Sequence, residues 1–472
     1  MSAPASGTVA AVDLGATSGR VMLGHVGHNE LSVRPVARFP NIPVRTIDGL
    51  HWNILELYRS VVAALGAAVR EDPSIASVAV DSWAVDYALM RGGRMLGTPY
   101  HYRDERNLPA VQATHAIVPP EELYAANGLQ FLSFNTLYQL AADREAGTLD
   151  LADGFLLIPD LINFWLTGRQ AAELTNASTT GLLSVGTGDW DHALIGRLGL
   201  PRAVLPDLVA PGTVLGALRP EVDVASGMLV TTVGSHDTAS AVVAVPSTAD
   251  DFAYISCGTW GLVGVELDAP VLTEASRAAN FTNEGGVDGR VRFLHNVMGL
   301  WILSESVRDW QRTDPALELS ALLAAAAEIT TPVSVFDADD PTFLAPGEMP
   351  ARIAEWCRDH GVQPPRSPVE FVRSIIESLA VAFVNAVRAA SELSGRPVSV
   401  IHIVGGGSQN ELLCQLVADR SGMPVLAGPV EATAIGNVLV QARAHDLVRG
   451  SLESLRSLVA TAFSPRKYLP RS

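Results

Sequence analysis

Asp237 sits in the run Gly234-Ser-His-Asp-Thr-Ala-Ser240, between an apolar strand-like stretch, Met228–Val233, and an Ala-rich run. A carboxylate at the carboxyl end of a strand, opening onto a helix, is well placed for catalysis in open α/β sheets. With an ordinary pKa of ~3.9 it is ionised at neutral pH and can accept a hydroxyl proton. Read alone, Asp237 reads first as a cap for the helix that follows. Phosphate chemistry is offered elsewhere. Asp13-Leu-Gly-Ala-Thr-Ser-Gly-Arg20 carries the hydroxyls of Thr17 and Ser18, backbone donors around Gly15 and Gly19, and the Arg20 cation. Asp13 can orient a hydrated Mg²⁺, which prefers oxygen ligands and keeps most of its waters. No Gly-Lys-Ser/Thr follows, so this is not a P-loop, and by itself it also fits an ordinary hairpin turn. Ser256-Cys-Gly-Thr-Trp260 is a second phosphate-turn candidate. Cys257 has no nearby His or Lys in the sequence to activate its thiol and reads as a small packed residue.

Three weaker constellations remain. Gly405-Gly-Gly-Ser-Gln-Asn410 would let a base or ribose approach the backbone at a helix start, although it departs from G-x-G-x-x-G. Asp81-Ser-Trp-Ala-Val-Asp86 brackets an aromatic with two carboxylates, and Trp83 with Tyr87 forms either a sugar-stacking wall or plain core. Tyr102-Arg-Asp-Glu-Arg106 is either a polyol-binding cluster or a solvated loop.

These groups need strands and helices to hold them. Apolar runs flank a glycine turn twice, over Val9–Leu23 and over Ala253–Val265, and each predicts a tight hairpin. The first hairpin is followed by a helical pattern, Leu55–Val69, and then by a buried-type strand from Ala76 toward Asp86. The second half repeats the order. Its helix opens on Ser367-Pro-Val-Glu370, with a Ser cap, Pro at the first helical position and Glu three past the cap, and continues to about Leu393. A strand beginning at Val398 then breaks into the glycines before a helix over Glu411–Arg420. The recurrence predicts an α/β protein of two like-built domains, with a nucleotide held where their polar breaks meet. A chain of 472 residues is also too long for one core. The boundary falls near Ala244–Asp251, giving domains 1–245 and 246–472. The Ala-rich region 314–330 predicts a surface helix, and Pro341–Pro350 a loop.

Composition excludes some functions. A formal net charge of −17 opposes sequence-independent binding to nucleic acid or anionic lipid. Three cysteines, far apart, give neither a disulfide framework nor a metal spacing, and the eleven histidines show no H-E-x-x-H. The opening Met1–Thr8 lacks a basic start with a long apolar stretch, and no uncharged apolar run approaches the roughly 20 residues of a membrane span. A cytoplasmic protein is the expectation.

Taken in order, several segments together resemble the FGGY carbohydrate kinases. They are Ala11–Leu23, Tyr102-Arg-Asp104, Gln130–Leu140, Ile158-Pro-Asp160, Thr175–Thr180, His236–Val242, Ser256–Trp260, Asn280–Gly286, Asn296–Trp301, His402–Asn410 and Gly428–Thr433. The resemblance runs from about residue 9 into the 440s. It implies an actin- and hexokinase-like fold, a duplicated ribonuclease H-like α/β unit with ATP between the two domains. In this resemblance Asp237 is the general base, and Ala16, Thr17, Ser18, Gly19 and Arg20 contact the ATP phosphates. Thr259 touches the nucleotide, Gly405 and Gly406 flank the adenosine, and Ser304 occupies a nucleotide-contact position where Gln is expected. His236, Asp237, Thr238 and Asn296 hold the sugar, with Ala84 where the family pattern has Gly. The implied reaction is Mg²⁺-dependent transfer of the γ-phosphoryl of ATP to the 1-hydroxyl of L-rhamnulose. The alternatives are L-fuculose or another ketose or polyol. From a different class comes a nucleotide-dependent switch or sugar sensor without transfer chemistry, against which stands Asp237 in its His-Asp-Thr setting.

Overall fold

Both glycine turns fold as hairpins. In the computed structural model, which describes residues 6–224 and 227–471, the first joins β1 (Gly7–Leu14) to β2 (Ser18–Gly27). Residues 1–5, most of the opening segment read above, lie outside the described residues. The chain packs as two units, the first made of residues 1–248, 266–293 and 432–463 and the second of 249–265, 294–431 and 464–472.

In the first unit β2 continues antiparallel into β3 (Glu30–Pro40), while β1 lies parallel to β4 (Ser77–Ser82). The short edge strand β5 (Val214–Ala217) pairs antiparallel with β6 (Leu229–Thr231), which lies parallel to β4, so the sheet order is β5-β6-β4-β1-β2-β3. The predicted helix over 55–69 is α1 (Ile54–Glu71), which buries Ile54, Leu57, Val61, Ala64, Leu65 and Ala68, one stripe at helical spacing. Two more helices serve the site: α2 (Thr136–Glu145) and α3 (Asp237–Val243). Register places Asp13 opposite Asp81 on the parallel neighbour and opposite Arg20 across the hairpin. A bridge between Ser82 and His236 extends the line of β6, so the carboxyl ends of three parallel strands lie side by side.

The second unit repeats this arrangement. Its hairpin joins β7 (Phe252–Cys257) to β8 (Gly261–Leu267), and β7 lies parallel to β9 (Val400–Val404). Beyond β9 come β10 (Val425–Ala427), parallel, and β11 (Arg466–Tyr468), antiparallel. Its helices include α4 (Trp301–Gln311), α5 (Leu319–Ala327), α6 (Pro368–Ser394) and α7 (Glu411–Ser421). Ser367 caps α6 by accepting from Glu370 N at 3.3 Å, as its sequence predicts. α5 is the expected surface helix, burying only Leu322 and Ala326. The stretch 341–350 corrects the loop reading: Pro341–Phe343 forms a 3₁₀ turn and a helix begins at Met349. Asp340 caps that turn at Thr342 N (2.8 Å), and Phe343 is buried against Phe336 with ring centroids 5.1 Å apart.

The chain finally returns to the first unit as α8 (Ala432–Ala444), which packs on β1, β4 and α3. The returning segment and 266–293 belong to the first unit although they lie in the second half of the sequence.

Candidate active site

Asp237 is the first residue of α3, and 31% of its side chain remains exposed. Its Oδ1 accepts from Thr238 Oγ1 at 3.1 Å and lies 3.6 Å from His236 Nε2. Withdrawal from water pushes its carboxyl above the ordinary range, and the Asp13 charge adds to this. Asp81, fully buried, is raised further, first by burial, then by Asp13 and more weakly by Asp237, against an amide hydrogen bond from Asn437 of α8 (2.5 Å). Asp81 and Asp237, from neighbouring strand ends, therefore both feel the Asp13 charge.

The backbone before Asp237 is anchored by a residue the sequence reading missed. Glu173, wholly buried, accepts from Ser235 N (3.0 Å) and Ser235 Oγ (2.7 Å), and also from Thr175 N (2.9 Å) and Thr175 Oγ1 (2.6 Å). Thr175 Oγ1 in turn accepts from His236 N at 3.3 Å.

The first glycine turn is closed by Gly15 N donating to Ser18 O (3.0 Å) and pinned from outside by Asn41, through its N to Thr17 O (3.0 Å) and its Nδ2 to Gly15 O (2.9 Å). Thr17 is exposed, and Ala16, Ser18 and Arg20 are half-buried. Gly19 is required because a Cβ there would overlap the Phe39 ring. Arg20 donates Nε (2.8 Å) and Nη2 (2.5 Å) to Asp13 Oδ2, so the two charges predicted to face a phosphate and a metal also hold each other.

Ala84 lies half-buried in a turn governed by Asp86. The Asp86 Oδ2 accepts from Trp52 Nε1 (2.6 Å), Trp83 Nε1 (3.0 Å) and Tyr102 N (3.1 Å), and Oδ1 accepts from Gln139 Nε2 of α2 (2.9 Å). Burial still pushes this carboxyl up to about 7, against those four donors. Between them Val85 adopts φ 69°, a strained conformation for a β-branched residue, with its carbonyl held by Thr136 Oγ1 at 2.7 Å. Trp83 packs against Trp52 in a tilted pair with centroids 4.0 Å apart, whereas Tyr87 belongs to the core beside Phe155. Of the 102–106 cluster, Tyr102 joins the Asp86 hub and Arg106 pairs with Asp143 at 2.6 Å.

In the second unit the turn after β7 is tied to the start of α4: Leu300 N donates to Gly258 O (3.1 Å) and Trp301 N to Thr259 O (3.0 Å). Cys257 is buried with its thiol pushed well up by burial, as expected of a packed residue. A Cβ at Gly407 would overlap its sulfur, and Gly405 takes φ 81°. Gly406 is exposed, as is Ser304 on α4, and Asn296 is half-buried.

The same chain matches known sequences end to end. Residues 8–244 match the N-terminal domain of the FGGY family of carbohydrate kinases, and residues 253–445 match its C-terminal domain. The chain belongs to the FGGY family of carbohydrate kinases. A rhamnulokinase of Pectobacterium atrosepticum is 41% identical over 471 residues, covering 98% of this chain and 93% of its own. One from Bacteroides thetaiotaomicron is 38% identical over 467 residues, covering 98% and 95%. Among solved structures, xylulose kinase from Lactobacillus acidophilus superposes with a TM-score of 0.78 at 17% identity, covering 98% of this chain and 94% of that one. Plasmodium falciparum glycerol kinase with ADP gives a TM-score of 0.76 at 14% identity, again over 98% and 94%. This FGGY kinase therefore has the two-domain α/β sugar-kinase fold and is a phosphotransferase acting on a sugar alcohol group, with ATP as the phosphoryl donor such enzymes use.

Within the FGGY kinase, Asp13, Ala16–Arg20, Ala84 and His236–Thr238 all lie in the first unit, and Thr259, Asn296, Ser304, Gly405 and Gly406 in the second. Glu173 and the hub role of Asp86 were not legible locally. The one available signal for Glu173 was its place two residues before the Thr175–Thr180 segment.

Proposed function

We propose that this kinase transfers the γ-phosphoryl of ATP to the 1-hydroxyl of L-rhamnulose, giving L-rhamnulose 1-phosphate and ADP in the cytoplasm. The observation that carries the substrate is similarity at 38–41% identity, over nearly the full length, to proteins named rhamnulokinase. Asp237 takes the proton of the attacking hydroxyl. Burial raises its pKa, which makes the carboxylate a stronger base. His236, Thr238 and Asn296 orient the sugar, and Ala84 contributes to its binding. The Ala16–Arg20 turn and Thr259 receive the phosphates, with Gly405, Gly406 and Ser304 beside the nucleoside. The division into domains 1–245 and 246–472 accompanies this reading.

Phosphoryl transfer needs little covalent help, and catalysis lies mainly in positioning and charge stabilisation. Mg²⁺ fits this site: the carboxylate of Asp13 is a hard oxygen donor beside the glycine turn, already steadied by Arg20, and suited to holding a hydrated ion through water. When bound, the ion neutralises charge on the transferring phosphates. Sugar or polyol and ATP are the partners of this site. Nucleic acid and membrane are not, in keeping with the −17 net charge. No helix among the described residues is long and apolar enough to cross a membrane.

The deciding experiment measures ADP release with Mg²⁺-ATP alone and with L-rhamnulose, L-fuculose, xylulose or glycerol. Strong stimulation by L-rhamnulose is expected. Stimulation by L-fuculose instead would move specificity to the methyl of Ala84, and silence with every sugar despite ATP binding would leave a switch or sensor.

A further inference from the structure

Asp237 meets one nitrogen of the His236 ring; the other nitrogen meets a buried ion pair. Arg292 Nη2 lies 3.0 Å from His236 Nδ1 and 3.1 Å from Glu284 Oε2. The Arg292 side chain is wholly buried, and its Nε is anchored to Gly285 O at 2.9 Å. Glu284 Oε2 also comes within 3.3 Å of His236 Nδ1, but at longer range than the guanidinium. All of these residues belong to the first unit.

The donor inventory decides what this cluster does. A guanidinium has five N–H donors and no acceptor, and it does not lose its proton in proteins. A ring nitrogen 3.0 Å from it must therefore offer a lone pair. A neutral imidazole carries one proton, so that proton sits on Nε2, the nitrogen 3.6 Å from Asp237 Oδ1. Glu284 supplies the negative charge that a buried Arg292 needs, and the pair is balanced without charging the histidine. Burial pushes the Glu284 carboxyl up, but the Arg292 charge against it leads the causes that hold it below the ordinary value, so it remains the counter-ion.

We propose that Arg292, balanced by Glu284, is a positioning residue that locks His236 as the neutral Nε2–H tautomer. His236 is thereby a hydrogen-bond donor toward the sugar hydroxyl beside Asp237, and proton acceptance is left to Asp237. This rests on the assignment of Asp237 as base and of His236 as a sugar contact. Neither Glu284 nor Arg292 was singled out by residue type or spacing, and their contribution lies in how they present a neighbour's proton.

The test reads the tautomer directly. Full-length protein labelled with ¹⁵N-histidine is examined by long-range ¹H–¹⁵N correlation at neutral pH without ligands, and the His236 signals are identified by their loss in His236→Gln. The expected pattern is an unprotonated Nδ1 and a protonated Nε2. In the charge-neutral double variant Arg292→Gln with Glu284→Gln, whose folding is checked by its thermal transition, the ring should shift to a mixture of tautomers. In that variant kcat/KM for the sugar should fall by about tenfold or more while KM for ATP stays unchanged. A proton on Nδ1 in the native protein would overturn the proposal, and so would an unchanged tautomer in the folded double variant. Failure of the base assignment is separable, because Asp237→Asn with normal turnover would remove that assignment and leave the spectrum of the free protein as it is.

Discussion

Gly436 of α8 lies directly against Ser240 of α3, so close that a Cβ at 436 would overlap the Ser240 carbonyl oxygen. Ser240 is one turn along from Asp237 on the same helix, so this contact fixes the depth at which the candidate base sits.

Gly436→Ala is expected to destabilise the protein. In an ordinary helix interior the change is worth up to ~1 kcal/mol in the opposite direction. Here the methyl meets main chain, and overpacking of this kind costs about 1–3 kcal/mol. Thermal melting should show a lower transition, and turnover should drop because α3 must shift. An unchanged melting temperature would mean that the two helices separate freely.

Asp237→Asn keeps the shape of the site and removes the proton acceptor. Turnover should fall by ~10²–10⁴, with ATP affinity measured by calorimetry unaltered. Nearly normal turnover would remove Asp237 from its proposed role.

Asp86 gives a pH signature. In the unfolded chain it titrates near ~3.9, and in the folded protein burial moves it to about 7. Between those values the folded state binds more protons than the unfolded state, so this group makes stability fall as pH rises through the window. Denaturant unfolding of the wild type and of Asp86→Asn at about pH 5 and about pH 8 isolates its share. The wild type should lose more stability across the interval than the variant, and equal losses would contradict the raised carboxyl.

All three cysteines are buried and free, and burial raises the thiols of Cys257, Cys357 and Cys414. A thiol-specific reagent at neutral pH should label none of them quickly in native protein and all of them after unfolding. Rapid native labelling at Cys257 would show that the turn against Gly407 opens.

Much of this could be read along the chain because its causes are short-ranged. Glycine turns follow from what backbone a small residue permits, as at Gly405, and the Ser367 cap follows from a hydrogen bond spanning three residues. The order of hairpin, helix and strand in each half, and the ordered family motifs, belong to the same class of information. What packing alone decided is which distant group meets which. Asn437 reaches Asp81 across 356 positions, Ser235 finds Glu173 across 62, and Arg292 finds His236 across 56. Asp86 similarly gathers donors from three distant segments, through Trp52, Tyr102 and Gln139. No local propensity distinguishes such a glutamate or arginine from a solvated one. Their roles arise only when folding removes water from both partners, so that each buried charge or donor must be met by another part of the chain.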